Sequence, residues 1–290
     1  MSNLESNGLL QAYVDKAMVD IPSLPTVIVE VVEAIEREGV SSSQIEEIVA
    51  LDAAITVKLL KVVNSAYFGL PQQISSISQA ISFLGLQQVR NLVLSIGVLN
   101  ALRSDSPRLI ALQREFWEKS FGTATCASHI AARKGMPPKA RDLVFVSGLL
   151  HDIGQLFLIT FFTSPYMEVL QHSQNSSEPL IEIELRVLRV THAEIGGVLA
   201  EKWNFPVALQ EVIANHEEPK RPTDEPVTAC VHCADRLVGN AVESAISSCG
   251  GELSQEMAEW LNLTDEEKDE VRADVQEQIL KAKELLGMIA

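Results

Sequence analysis

The chain has 290 residues, enough for one large or two small domains with a well-buried core. Hydrophobic residues make up 47% and charged residues 21%, which excludes an intrinsically disordered protein. With 39 acidic against 23 basic residues the formal charge is −16, which argues against general nucleic-acid binding and against an anionic membrane surface.

Residues 1–10 are polar, with Glu5 and no basic run, so no secretion signal is expected there. The helical pattern begins at residues 25–38. Val27, Val29, Val31, Val32 and Ile35 form an apolar stripe opposite Glu30, Glu33, Glu36 and Arg37, and Gly39 stops it. Ser43 with Glu46 reads as a capping box for a helix over 45–50. Asp52 is placed to cap residues 53–64, where Val57, Leu60 and Lys61 keep a period near 3.6. After a turn at Gly69, Leu70 and Pro71 come helices over 76–84, closed by Gly85, and over 87–99.

The polar run 104–107, ending in Pro107, is the first candidate boundary. Beyond it the pattern predicts helices over 109–133, 140–161, 180–189, 192–203, 206–216 and 227–242. Thr191 with Glu194 forms a second capping box, Asn204 is placed to cap the helix holding Pro206 in its first turn, and Pro226 opens the last. A loop at 247–251 precedes a tail with 11 acidic and 4 basic residues from Glu252 onward. There Thr264 and Glu267 form another capping box, and Val271, Val275, Ile279 and Leu286 mark one face of an amphipathic helix. The expected fold class is all-α, a multi-helix bundle divided into residues 1–105, 106–245 and an acidic helical tail over 246–290.

Residues 143–162 are long and apolar enough to suggest a membrane span. His151, Asp152 and Gln155 occupy its middle, where an ionised Asp is costly, so a buried helix is expected and no membrane partner. Cys126, Cys230, Cys233 and Cys249 form no spaced framework and read as free thiols in a reducing cytoplasm. Cys230 and Cys233 match C-x-x-C, but no second pair completes a zinc site.

The chemistry centres on His151 and Asp152, side by side in an apolar run. Burying a carboxylate without a partner costs several kcal/mol or forces its pKa upward, so a metal or another charged group is expected beside them. Neighbouring helix residues point about 100° apart, yet a cation lodged between that helix and its neighbours can touch both.

Leu149-Leu-His-Asp-Ile-Gly154 resembles the signature of the HD superfamily of metal-dependent phosphohydrolases, and Asp235 in Val231-His-Cys-Ala-Asp-Arg-Leu237 matches its later Asp. Ile21-Pro-Ser-Leu-Pro25, Ile48-Val-Ala-Leu-Asp52, the run from Leu59 to Gly69, Ala80-Ile-Ser-Phe-Leu-Gly85 and Phe116-Trp-Glu-Lys-Ser120 resemble successive blocks of the HDOD branch. The resemblance covers about residues 20–240. It implies an N-terminal HDOD-specific helical half packed on an HD-like helical half. It further implies a divalent metal (Mn, Fe, Zn or Mg) held by His151, Asp152 and Asp235, with His192 and His216 completing the site. On their own residues, His192 and His216 serve equally well as cap or surface histidines, while His129, His172 and His232 read as structural.

This chain also departs from the family pattern. Lys119 stands where the early ligand His falls, and a protonated Lys repels a cation. Lys119 can instead pair with Asp152 or Asp235 and replace the metal. His129 lies ten residues further on, about 15 Å along a helix, and is a poor substitute. Asn215-His216 stands where relatives show paired histidines, and Gln155 replaces a Lys able to hold a phosphate. The expectation is a cytoplasmic bacterial signalling module that binds a protein partner or a small nucleotide, with no catalytic residue assigned. The alternative is a metal-dependent phosphohydrolase acting on a nucleotide or cyclic dinucleotide. A third reading is a small-ligand cleft between the Asn64 segment and the HD half.

Overall fold

The computed structural model describes residues 21–37, 39–65, 68–239 and 253–289, and every regular element among them is an α-helix. The first five are α1 (Thr26–Glu36), α2 (Ser42–Ala50), α3 (Ala53–Val63), α4 (Ile77–Leu84) and α5 (Leu86–Ala101). Ile28, Val31, Val32 and Ile35 turn inward from α1, which packs on α2 and α5. Asp52 caps α3 as expected, accepting from the Ala54 and Ile55 amides. The start of α2 is a correction: Ser41, not Ser43, is the N-cap, and Gln44 completes its capping box. Glu46 instead accepts from the Ser78 hydroxyl and ties α2 to α4.

Asn64 closes the loop after α3. Its amide donates to the Leu60 and Ile74 carbonyls while its oxygen accepts from the Ile74 amide. Both ends of the side chain are engaged in that clamp.

The chain continues through α6 (Pro107–Arg133), α7 (Pro138–Leu150), α8 (Ile153–Phe161), α9 (Thr163–Gln174) and α10 (Leu180–Val187). Then come α11 (His192–Lys202), α12 (Val207–Asn215), α13 (Pro226–Gly239), α14 (Gln255–Leu261) and α15 (Asp265–Ile289). α6 packs along α7, α13 and α15, while α11 lies against α8 and α12. The expected helix over 140–161 is two helices: His151 ends α7, and Asp152, at φ −95° and ψ 19°, precedes α8. The most apolar stretch of this segment is 89% buried inside the bundle.

Two helices lie where the sequence pattern predicts none. Pro165 reads as a breaker of α9, but it falls in the first turn, where its missing N–H does no harm. Tyr166, Val169, Leu170 and Ser173 then recur at helical spacing on the buried face. The short α14 is capped by Ser254. Asn204 is not a cap, because its φ of 52° terminates the turn after α11 and Pro206 takes the N-cap position of α12. The Thr191–Glu194 and Thr264–Glu267 boxes both form.

One apolar cluster runs from Ile21 to Ile213, and a second joins α6, α13, α14 and α15. The amphipathic α15 buries Val275 and Ile279, and Ile279 lies over Gly122 of α6, where a Cβ would stand 3.1 Å from the Ile279 side chain. The side chain of Leu286, Cys249, the 247–251 loop and residues 1–10 lie outside the described residues.

Candidate functional site: a buried charge cluster at the α7–α8 break

Lys119 reaches from α6 to place Nζ 2.8 Å from Asp152 Oδ2 and 2.9 Å from Asp235 Oδ1. His151 donates from Nδ1 to the Gly148 carbonyl at 2.8 Å. Its Nε2 then faces Asp152 Oδ2 at 3.1 Å and Asp235 Oδ1 at 3.2 Å. Exposure is 0% for His151, 1% for Lys119 and 3% for each Asp, so two desolvated carboxylates share two cationic partners. Burial opposes charge on His151, but Asp152 and Asp235 outweigh it and lift the imidazole to about 9. Against the same desolvation, the carboxylates keep Lys119 charged, while His151 and Lys119 hold Asp152 and Asp235 well below the usual carboxylate range.

The other oxygen of Asp152 faces a second group. Oδ1 lies 3.2 Å from His216 Nε2 and 3.3 Å from His192 Nε2, and the two imidazole nitrogens are 3.3 Å apart. His216 Nδ1 meets the Ile213 carbonyl at 2.9 Å and His192 Nδ1 meets Glu184 Oε2 at 2.8 Å. These oxygens only accept, so each Nδ1 carries a hydrogen and each Nε2 faces inward. Against burial, the Glu184 carboxylate and the hydrogen bonds to Asp152 and Glu217 hold the His192 imidazole well above its usual value. Glu217 Oε1 completes the group, 3.5 Å from His192 Nε2 and 4.0 Å from His216 Nε2, while its Oε2 accepts from Arg236. Burial pushes the Glu217 carboxyl up, but the hydrogen bond and charge of His192, with His216 and Arg236, bring it down to about 2.

A polar layer supports these side chains from behind. Glu184, fully buried on α10, accepts from the His192 amide at 2.9 Å and from the Tyr166 hydroxyl at 2.8 Å. Gln155 hydrogen-bonds Tyr166 within the same layer. His232 Nδ1 donates to the His216 carbonyl at 2.7 Å and fixes the backbone there.

His151, Asp152, His192, His216, Asp235 and Lys119 therefore meet in one cluster, with Gln155 one layer back. His129 instead pairs with Asp274 at the surface, and His172 is exposed beside Glu168. Asn215 is exposed and bonds the Glu211 carbonyl; the neighbour of His216 that enters the cluster is Glu217. Cys126, Cys230 and Cys233 are buried free thiols of the core, and burial pushes Cys230 and Cys233 up to about 12. Glu217, Glu184, Tyr166 and Arg236 were not singled out by the sequence pattern. The available sign for Glu184 is its place on the Leu180–Ile183 apolar face, where a carboxylate needs a partner.

The HDOD domain profile matches residues 21–219. An uncharacterized protein of Treponema pallidum (strain Nichols) is 31% identical over 235 residues, 79% of this chain and 44% of that protein. The chain thus spans less than half the length of this relative. A provisionally assigned phosphohydrolase from Shewanella amazonensis SB2B superposes with a TM-score of 0.70 at 21% identity, covering 96% of this chain and 98% of that one. A provisionally assigned signal transduction protein from Marinobacter aquaeolei VT8 gives 0.75 at 18% identity, covering 100% of this chain and 67% of that one. At such identities the likeness to the two structures is one of fold. The profile match over most of its length, with the His-Asp doublet and its partners gathered at one helix break, places this chain in the HDOD family.

Proposed function

We propose that this chain is a regulatory HDOD module of bacterial signal transduction, acting by binding through an HD centre no longer suited to hydrolysis. The observation that carries this is the Lys119 ammonium held between Asp152 and Asp235. A hydrolytic metal of the HD pattern would take Asp152 and Asp235 as ligands and needs an open position for water. Here a fixed cation engages both carboxylates, and the group around it is almost fully buried. A neighbour assigned to signal transduction supports the same direction. The partner is a protein or a small nucleotide rather than nucleic acid at large, given the charge of −16. Free buried thiols fit a cytoplasmic setting.

The test is turnover of a chromogenic phosphodiester and of cyclic dinucleotides with Mn²⁺, Fe²⁺, Zn²⁺ or Mg²⁺ supplied. The wild-type chain is expected to give no rate above the metal-only control. A wild-type rate that disappears in Asp152→Ala would overturn the proposal. It would favour the second reading, a metal-dependent phosphohydrolase, which draws support from the convergence of His151, Asp152, His192, His216 and Asp235. In that case a bound ion would lower the pKa of its water and polarise the phosphoryl oxygen.

A further inference from the structure

We infer that the cleft between the end of α5 and the first turns of α6 docks an acidic segment of a partner protein. One aliphatic side chain of that segment seats against Trp117, and its carboxylates meet Arg103 and Arg114. None of the residues around this cleft belongs to the buried charge cluster. Leu99, Leu102, Ile110 and Trp117 line a cavity of about 70 Å³. Leu102 and Trp117 are buried, whereas Ile110 stays 37% exposed. Gln113 also borders the cavity, but its side chain is already engaged. Its Nε2 donates to the Leu102 carbonyl at 2.7 Å and to the Thr160 hydroxyl at 3.0 Å, and its Oε1 accepts from the Ser104 amide at 3.3 Å. What enters is therefore apolar. The cavity is roughly half the size of one of about 150 Å³ that takes up benzene, so it suits a short aliphatic chain and excludes a purine ring.

The rim is cationic. Arg103 follows α5 and Arg114 lies on α6; both are exposed, and neither guanidinium pairs with a carboxylate among the described residues. Lys58 of α3 joins them, with its ammonium 2.8 Å from Asn100 Oδ1 in the last turn of α5. Burial, then the charges of Arg103 and Lys61, pull that ammonium below its usual value, so the cations gathered here repel one another. The helix dipole at the C-terminus of α5 returns only about half an elementary charge. In a chain with 39 acidic and 23 basic residues, uncompensated positive charge around one cavity marks a place for an anion. Three cations drawn from α3, the end of α5 and α6 outnumber what one small carboxylate can engage. A segment with several acidic residues around one Leu, Ile or Val meets all three and covers Ile110 as well. Trp and Arg are also among the residues that most often dominate such contacts.

The test presents the full chain to an array of immobilised acidic peptides, each with one central residue varied among Leu, Ile, Val, Ala, Trp and Lys. The tightest are then measured in solution by fluorescence anisotropy. Peptides centred on Leu, Ile or Val are expected to bind at least about tenfold more tightly than those centred on Ala. Arg103→Ala and Arg114→Ala are each expected to weaken binding about tenfold with the circular dichroism unchanged, and added salt to weaken it further. Failure of every peptide to bind overturns the inference. Binding indifferent to both arginine substitutions lies elsewhere on the chain and overturns it too. Binding that ignores the central residue is charge alone and removes the cavity from the account. Full competition by isocaproate at the concentration of the peptide makes this a site for a small carboxylate and overturns the partner assignment. Each of these outcomes leaves the Lys119 reading intact.

Discussion

A Cβ placed on Gly154 would stand 1.9 Å from the carbonyl oxygen of His192, so the α8 and α11 backbones touch at these two residues. Here glycine is required for close approach rather than for an unusual φ. The contact sets His192 beside Asp152, two residues before Gly154. Gly154→Ala is expected to cost about 3 kcal/mol or more, because both clashing partners are backbone and neither can yield. Gly197→Ala is the control: its Cβ meets the Ala214 Cβ at 3.2 Å, and a change within about 1 kcal/mol is expected. Urea unfolding of the two variants checks the contrast.

Lys119→Met removes a cation from between two buried carboxylates. Breaking such a group by deleting one partner costs roughly 3–5 kcal/mol. The variant should also become metal-responsive, regaining part of its thermal stability when Mn²⁺ is added, whereas the wild type gains nothing at this position. Unfolding curves with and without the ion measure both effects, and an unchanged midpoint would refute the ion-pair role.

The His151 imidazole is raised to about 9 in the fold, where burial is outweighed by Asp152 and Asp235. A raised folded value means that the native state holds the proton more tightly than the unfolded chain. Its stabilisation is therefore full below about pH 6.5 and fades as pH rises through 9. The loss across that window should reach about 3 kcal/mol at most. Urea midpoints from pH 6.5 to 9.5 should fall in the wild type and flatten in His151→Gln.

Tyr166→Phe deletes the hydroxyl that serves Glu184 Oε1 in a fully buried setting. A carboxylate oxygen left without that donor costs about 1–3 kcal/mol. Chemical denaturation reads the loss, and a neutral result would mean that Glu184 finds another donor.

Sequence made some of this centre legible and hid the rest for physical reasons. His151 and Asp152 stand out because charge in an apolar run demands partners. Lys119 is visible because it occupies the place of an expected histidine. The break between α7 and α8 is not visible, since neither Gly nor Pro marks residues 151–152 and the apolar run continues on both sides. The pairing of Glu184 with His192 is set by the turn between α10 and α11, and the approach of Arg236 to Glu217 by how α13 packs beside α12. These are tertiary facts without a local pattern. α9 is concealed by Pro165, whose position in the first turn makes it harmless.

Lys119 reaches the centre by translation, with the chain itself. Domains nucleated by a metal collapse when a chelator removes it. Here α6, α7 and α13 are stitched at Asp152 and Asp235 by a covalently attached charge that no chelator can extract. The architecture is thereby insulated from the supply of ions around it.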